Sequence, residues 1–261
     1  MATINLFILL CCVTVFVSAQ NSDVAKAGER NWGGVEADRG QFKWHVAIGN
    51  KAEDGEYKPI YSGALISKQW VLTHYGINTS NVDLVVILGA TRLYDDQDGK
   101  IITKFEKIVY RYEYWVALGK LVAPVQFTDY IGPIKLPKPT DYLAGGTSVW
   151  FSGWGWVNQT SDYVNELRCV DLFTLSNENC NCGNYPDYYV CTDGSEGKCP
   201  WLGGDHGGAI VQYINGAWTH MAMMSFIHYN GCPMGEPTVF TRTTYLLDFI
   251  YANTGPITIY N

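Results

Sequence analysis

From Phe42 onward the chain runs in short stretches where apolar or β-branched residues alternate with polar ones, each bounded by turn residues: Phe42 to Ile48, Tyr61 to Ile66, Trp70 to Thr73, Asp83 to Leu88 and Ile101 to Tyr110. Stretches of this length and period suit strands that bury one face. A Pro- and Gly-rich connector from Gly132 to Gly146 leads to a second series: Thr147 to Phe151, Glu166 to Leu175, Tyr188 to Cys191, Ala209 to Tyr213, Trp218 to Phe226 and Thr238 to Arg242. No long amphipathic helix interrupts them. After Thr243, Leu246, Leu247, Phe249 and Ile250 recur at helical spacing, with a threonine available as N-cap and Gly255 just past the end. The pattern predicts an all-β architecture, two six-stranded antiparallel barrels closed by a C-terminal helix.

Composition adds a location. The chain has 261 residues, 47% hydrophobic and 16% charged, which is ordinary globular material. Residues 2 to 19 carry no charge, and an apolar core from Leu6 to Val17 ends in Val17-Ser18-Ala19, so residues 1–19 read as a secretory signal peptide cut after Ala19. The apolar run is about 12 residues where spanning a membrane takes about 20. Residues 20–30 are polar and end in Glu29-Arg30, a short propeptide with a tryptic cleavage site between Arg30 and Asn31, which leaves 31–261 as the mature domain. The expected product is secreted and extracellular, with no membrane partner. Its net charge of −7 offers no basic surface for nucleic acid. Asn78 and Asn158 head two sequons compatible with glycosylation of surface loops.

Secretion also decides how the cysteines are read. Cys11 and Cys12 leave with the signal, and Cys169, Cys180, Cys182, Cys191, Cys199 and Cys232 remain, an even number in an oxidising compartment that favours disulfides. Cys180-Asn181-Cys182 is too tight for a zinc knuckle and has no complementary Cys or His pair, so neither a metal nor a cofactor is expected.

Five further matches occur in order: Ser62-Gly63-Ala64-Leu65-Ile66 with Trp70-Val71-Leu72-Thr73, then Gly153-Trp154-Gly155, Leu175-Ser176 ahead of Cys180, Gly203 to Gly208, and Phe240-Thr241-Arg242. Together they resemble the chymotrypsin-like (trypsin-type, S1) serine proteases, and among these the short digestive-type insect enzymes, from residue 31 to about residue 255. The resemblance implies a chymotrypsin-like fold. It also implies a serine, a histidine that takes its proton and a carboxylate that orients the histidine. Gly203-Gly204-Asp205-His206-Gly207-Gly208 places His206 at the nucleophile position; Leu72-Thr73-His74-Tyr75-Gly76-Ile77 places Gly76 at the base position; Trp115-Val116-Ala117-Leu118 places Trp115 at the acid position. His74 falls two residues early and is expected to be a surface or packing residue.

By the same resemblance, Gly204 and Asp205 are a remnant of the oxyanion turn, and the former specificity pocket comprises Gly197, Lys198, Ser225, Ile227 and Thr238, with Ile227 and Thr238 closing it. Asp205, which would normally pair with a new Ile-Val terminus, is expected to bond locally because the terminus here is Asn31-Trp32. The implied disulfides are Cys199 with Cys232 and Cys191 with Cys180 or Cys182, Cys169 taking what remains. These substitutions lead to the expectation of no enzyme: a catalytically inactive homologue, or pseudoprotease, that binds or regulates an extracellular protein, either an active protease or its substrate. Tyr94, Tyr112, Tyr114, Trp156, Tyr185 and Trp201 are its candidate anchors, on a face between Trp115 and Trp201. The alternatives are an active hydrolase using His206 by non-standard chemistry and a secreted structural or storage protein.

Overall fold

The computed structural model describes residues 34–51, 57–77, 84–97, 99–155, 164–180, 186–196, 198–200, 202–227 and 235–257. The signal and propeptide segments, the Arg30–Asn31 bond, Asn78, Asn158, Trp156, Cys182, Tyr185, Gly197, Trp201, Cys232 and the side chain of Ile227 lie outside the described residues.

Two antiparallel sheets carry the fold. The first contains β2 (His45–Lys51), β3 (Tyr57–Leu65), β4 (Trp70–His74), β5 (Leu84–Leu88), β6 (Ile101–Thr103), β7 (Phe105–Arg111) and β8 (Val116–Leu121), in the order β6-β5-β2-β3-β4-β8-β7. The second contains β1 (Val35–Glu36), β9 (Ser148–Gly153), β10 (Arg168–Leu175), β11 (Tyr189–Thr192), β12 (Ala209–Ile214), β13 (Ala217–Ile227) and β14 (Thr238–Arg242). Its order is β1-β10-β11-β14-β13-β12-β9, and a further β9–β10 pairing closes the ring.

The all-β, two-barrel expectation holds, with seven strands in each sheet rather than six. Two additions explain the difference. The run from Ile101 splits at Lys104, whose carbonyl accepts the Val122 N–H instead of joining the ladder. The two-residue β1, paired with Arg168 and Cys169 of β10, is too short to show any alternation. β8 escaped the pattern for another reason: within it only Val116-Ala117-Leu118 stand together before Gly119 and Lys120, an apolar run shorter than the roughly 4–8 residues that mark a buried strand.

The C-terminal helix spans Leu247–Thr254 behind a 3₁₀ turn, Thr243–Leu246, and buries Leu247 and Ile250. The expected threonine cap is absent. Thr243 is buried, and its hydroxyl meets His220 Nδ1 at 2.7 Å, which occupies the oxygen that capping would need. Gly255 does end the helix: its φ of 69° lets its N–H reach the Tyr251 carbonyl at 3.0 Å. No helix among the described residues is long and apolar enough to cross a membrane.

Cys180 and Cys191 form a disulfide, and Cys199 is also disulfide-bonded. Cys169 departs from the expected scheme. It is a free, buried thiol on β10, directly opposite Ser152 of β9, so the strand beside it offers a hydroxyl where a bond would need sulfur. Burial, with a smaller contribution from Asp38, pushes this thiol up to about 11. Since the thiolate is the reactive form, Cys169 is expected to resist iodoacetamide at pH 8 in the folded protein and to react once urea unfolds it. Peptide mapping of the alkylated chain checks this; rapid native labelling at Cys169 would contradict it.

Candidate active site

The glycine-rich turn is held from both barrels. The Ser62 N–H donates to the His206 carbonyl at 2.8 Å, the Gly207 N–H to Met224 at 3.0 Å and the Gly208 N–H to Asp205 at 2.9 Å. Gly204 and Gly207 have φ of 94° and 87°, a region that disfavours any side chain. The Asp205 carboxylate lies in a space that two glycines leave open: a Cβ on Gly153 or Gly155 would come within 1.9 or 2.2 Å of its oxygens. It accepts the Gly155 N–H at 2.9 Å.

Of the two expectations for His74, surface or packing, the ring packs: it lies among Tyr61, Tyr75, Trp115 and His206. His74 is 6% exposed, and its ring centroid lies 5.0 Å from that of His206, so the imidazole reaches the cleft. β4 ends at His74, and the turn through Tyr75 and Gly76 folds the glycine back over the His74 ring. The space beside that glycine is already taken, because a Cβ on Gly76 would meet Tyr61 Oη at 2.9 Å and His74 Nδ1 at 3.0 Å. The Gly76 N–H donates to His74 Nδ1 at 3.1 Å, and the Tyr61 hydroxyl donates to the Gly76 carbonyl at 2.8 Å. A glycine at the base position with a histidine two residues before it was the available signal.

Trp115 follows a 3₁₀ turn, Tyr112–Tyr114, and adopts a left-handed φ of 58°. Its carbonyl accepts the Tyr75 N–H at 3.0 Å, and its ring packs on Tyr75, Phe226 and His74. Phe226 continues to Tyr189, while Thr238 is buried and the Ser225 hydroxyl lies 2.6 Å from that of Thr241. Lys198 points instead to Asp171 and Glu196. Of the candidate anchors, Tyr94 and Tyr112 are exposed and Tyr114 is half-buried.

A second imidazole site lies deeper. His45 of β2 is 3% exposed, with Nδ1 2.9 Å from the hydroxyl of Ser152 on β9 and Nε2 3.3 Å from that of Ser62 on β3. Ser62 donates its own proton to the Gly204 carbonyl at 2.9 Å, so it receives one from His45 Nε2, and His45 Nδ1 receives one from Ser152. The ring therefore ties the two barrels together behind the glycine turn. No motif announced it. Burial lowers His45 to about 3; burial and then His206 lower His74 to about 3; burial lowers His206 while the Ser225 carbonyl opposes it. All three rings are neutral at pH 7. Among the described residues, no group of three or more His, Cys, Asp or Glu is gathered for a metal ion.

Comparison with known proteins bears on these residues. The trypsin family model matches residues 31–250. A collagenase of Hypoderma lineatum is 29% identical over 236 residues, 86% of this chain and 87% of that protein. A tryptase of Mus musculus is 28% identical over 244 residues, 84% of this chain and 86% of that one. The solved structure of HL collagenase superposes with a TM-score of 0.71 at 29% identity, covering 85% of this chain and 98% of that chain. The expectation of a non-enzyme is corrected here. The relatives are named as proteases, and His45 Nδ1 accepts the Ser152 hydroxyl at 2.9 Å, the direction of imidazole–hydroxyl contact on which serine hydrolysis rests, while Nε2 holds Ser62. Sequence reasoning went by the three motif positions alone and missed this contact.

Proposed function

Because the chain belongs to the trypsin family, we propose that it acts on polypeptides outside the cell, taking an extended protein segment into the cleft where His74 meets His206. An extracellular protease or a protease substrate is the kind of polypeptide this reading names. The observation that carries it is the position of the His74–His206 pair: two neutral imidazoles at the glycine turn, walled by Tyr75, Trp115 and Phe226. Aromatic side chains of this kind anchor protein partners. Charge-free residues 2 to 19 support the location, and the protease names of the relatives support the ligand class.

Hydrolysis is a second reading, favoured by the protease names of the relatives and by the His45 imidazole held against the Ser152 and Ser62 hydroxyls, with the His206 ring at the family's nucleophile position. Gly76, Trp115 and His206 carry none of the usual side chains, so the chemistry would run on imidazole. A neutral His206 would take a proton from water as the water oxygen bonds to the carbonyl carbon. The resulting imidazolium would return that proton to the departing amine, which balances the step.

Both readings are tested by incubating the purified chain with denatured collagen, casein and an extended-peptide library, then identifying retained peptides and new termini by mass spectrometry. Extended peptides are expected to be retained, and Trp115→Ala should weaken retention about 30-fold, or about 2 kcal/mol. New termini that vanish in His206→Ala would establish the second reading. Retention that survives both substitutions in folded protein would place the ligand elsewhere.

A further inference from the structure

Arg242 ends β14 as a buried cation without an anion. It is 4% exposed, its Nε donates to the Tyr189 carbonyl at 3.1 Å, and its Nη1 donates to the Leu143 carbonyl at 2.7 Å. The Tyr142 ring covers the guanidinium, with its centroid 4.7 Å away. A guanidinium stays charged in proteins and has more N–H donors than two carbonyls use. Buried charges are ordinarily paired, yet no carboxylate among the described residues forms an ion pair with this one. Burial lowers its pKa, while Tyr142, by charge and hydrogen bond, and Tyr245 and Asp187, by charge, oppose that. The carboxylates nearby have other partners: Asp187 accepts from Asn177 Nδ2 at 3.4 Å, and Asp141 accepts the Lys138 N–H of its own turn at 2.8 Å.

The guanidinium lines a depression of about 410 Å³. Tyr142, 73% exposed, and Tyr245, 43% exposed, wall it, with Thr140, Asp141 and Thr244 around them. A space of this size suits a small molecule or a single side chain. We propose that this depression binds a carboxylate, which pairs with Arg242 while the group carrying it lies against Tyr142 and Tyr245. A carboxylate matches a guanidinium in plane and charge. One buried cation balances one negative charge, and Asp141 and Asp187 would repel a dianion such as phosphate more strongly than a monoanion. The two carbonyl bonds already hold the Arg242 side chain in place, so a ligand meets an ordered partner rather than having to order it. None of these residues belongs to the cleft, and the site stands independently of the function proposed for the cleft. Two sources supply such a carboxylate, a free organic acid and an acidic side chain or C-terminus of a polypeptide.

The test titrates the full chain, labelled with ¹⁵N-arginine, with benzoate at pH 7. The Arg242 Nε–H signal, identified by its displacement when Tyr142→Ala removes the ring above it, is expected to shift saturably. Benzamide, the neutral isostere, should bind about tenfold more weakly. Tyr142→Ala, at an exposed position, should leave the chain folded and weaken benzoate about threefold. Arg242→Gln should abolish binding. Because that variant also gives up the bond to Leu143, Thr244→Asp serves beside it: a carboxylate of the chain's own would fill the depression and block the shift while Arg242 stays in place. Acetyl-aspartate amide and acetyl-alanine with a free C-terminus form the second arm. Shifts with these and not with benzoate or acetate assign the site to polypeptide carboxylates, the reverse assigns it to free organic acids, and shifts with both make the carboxylate itself the determinant. An Arg242 signal that no carboxylate moves, equal binding of benzamide and benzoate, displacement of benzoate by equimolar phosphate, or a benzoate shift that survives Thr244→Asp in folded protein would overturn the proposal.

Discussion

Acidification from pH 6.5 toward pH 4 is expected to unfold this chain steeply. Three histidines are buried in the neutral state: His45 and His74, each lowered to about 3, and His220, lowered to about 4, burial being the first cause in every case. In the unfolded chain each titrates near the ordinary 6.5, so below that pH the unfolded state binds protons that the folded state refuses. The stability these rings contribute is fully present above 6.5 and is lost as pH falls toward their folded values. Each contributes a slope of about 1.4 kcal/mol per pH unit, so the three together give about 4 kcal/mol per unit. Set against a typical total of about 5–15 kcal/mol, a fall of two to three units is enough to unfold the protein. His45 faces Ser62, Ser152 and Trp154, and His220 bonds Thr243; neither hydrogen-bonds a carboxylate among the described residues that would favour its charged form. Urea midpoints followed by tryptophan fluorescence from pH 8 to pH 4 measure the slope, which His45→Gln or His220→Gln should each reduce by about a third. Stability that stays flat down to pH 4 would mean that these rings accept protons without leaving their sites.

Replacing Gly207 by alanine is expected to cost about 4 kcal/mol. A left-handed backbone costs a residue with a Cβ about 1–2 kcal/mol, and the φ of Gly207 is +87°. The new Cβ would also lie 2.3 Å from the Ser62 carbonyl oxygen and 2.7 Å from the His74 nitrogen, both main-chain atoms of paired strands that cannot turn aside. Overpacking of this kind adds about 1–3 kcal/mol. Gly216→Ala separates the two contributions, since Gly216 has φ +76° but nothing within 4 Å of the added Cβ. It should lose only the backbone part, about 1 kcal/mol. A Gly207→Ala midpoint no lower than that of Gly216→Ala would show that the turn can move away from β3 and β4. The Ser62–His206 backbone bond makes such movement visible at the site, because the His206 ring would shift with it.

How much could be read in advance depended on whether the cause was local. The strands of the second barrel were legible because alternation is a property of neighbouring residues, and the C-terminal helix was legible because Leu246, Leu247 and Ile250 share one buried face. β8 was not, since its apolar run stops after Val116-Ala117-Leu118 at Gly119 and Lys120, short of the roughly 4–8 residues that mark a buried strand. The Cys180–Cys191 bond closes a short loop that the resemblance had already suggested, whereas Cys169 depended on what β9 would set opposite it, and that residue is Ser152.

The site divides along the same line. Sequence alone located the glycine turn, Trp115 and the replacement of serine by His206, because these are ordered positions in a motif. Motif register is one-dimensional, and it set His74 aside for standing two places early. Only the tertiary structure brings its imidazole to His206, at the end of β4 where the turn through Gly76 leaves room for the ring. It alone joins His45 to Ser62 and Ser152, residues 17 and 107 positions away, because hydrogen bonds form between groups that packing makes adjacent, whatever length of chain separates them.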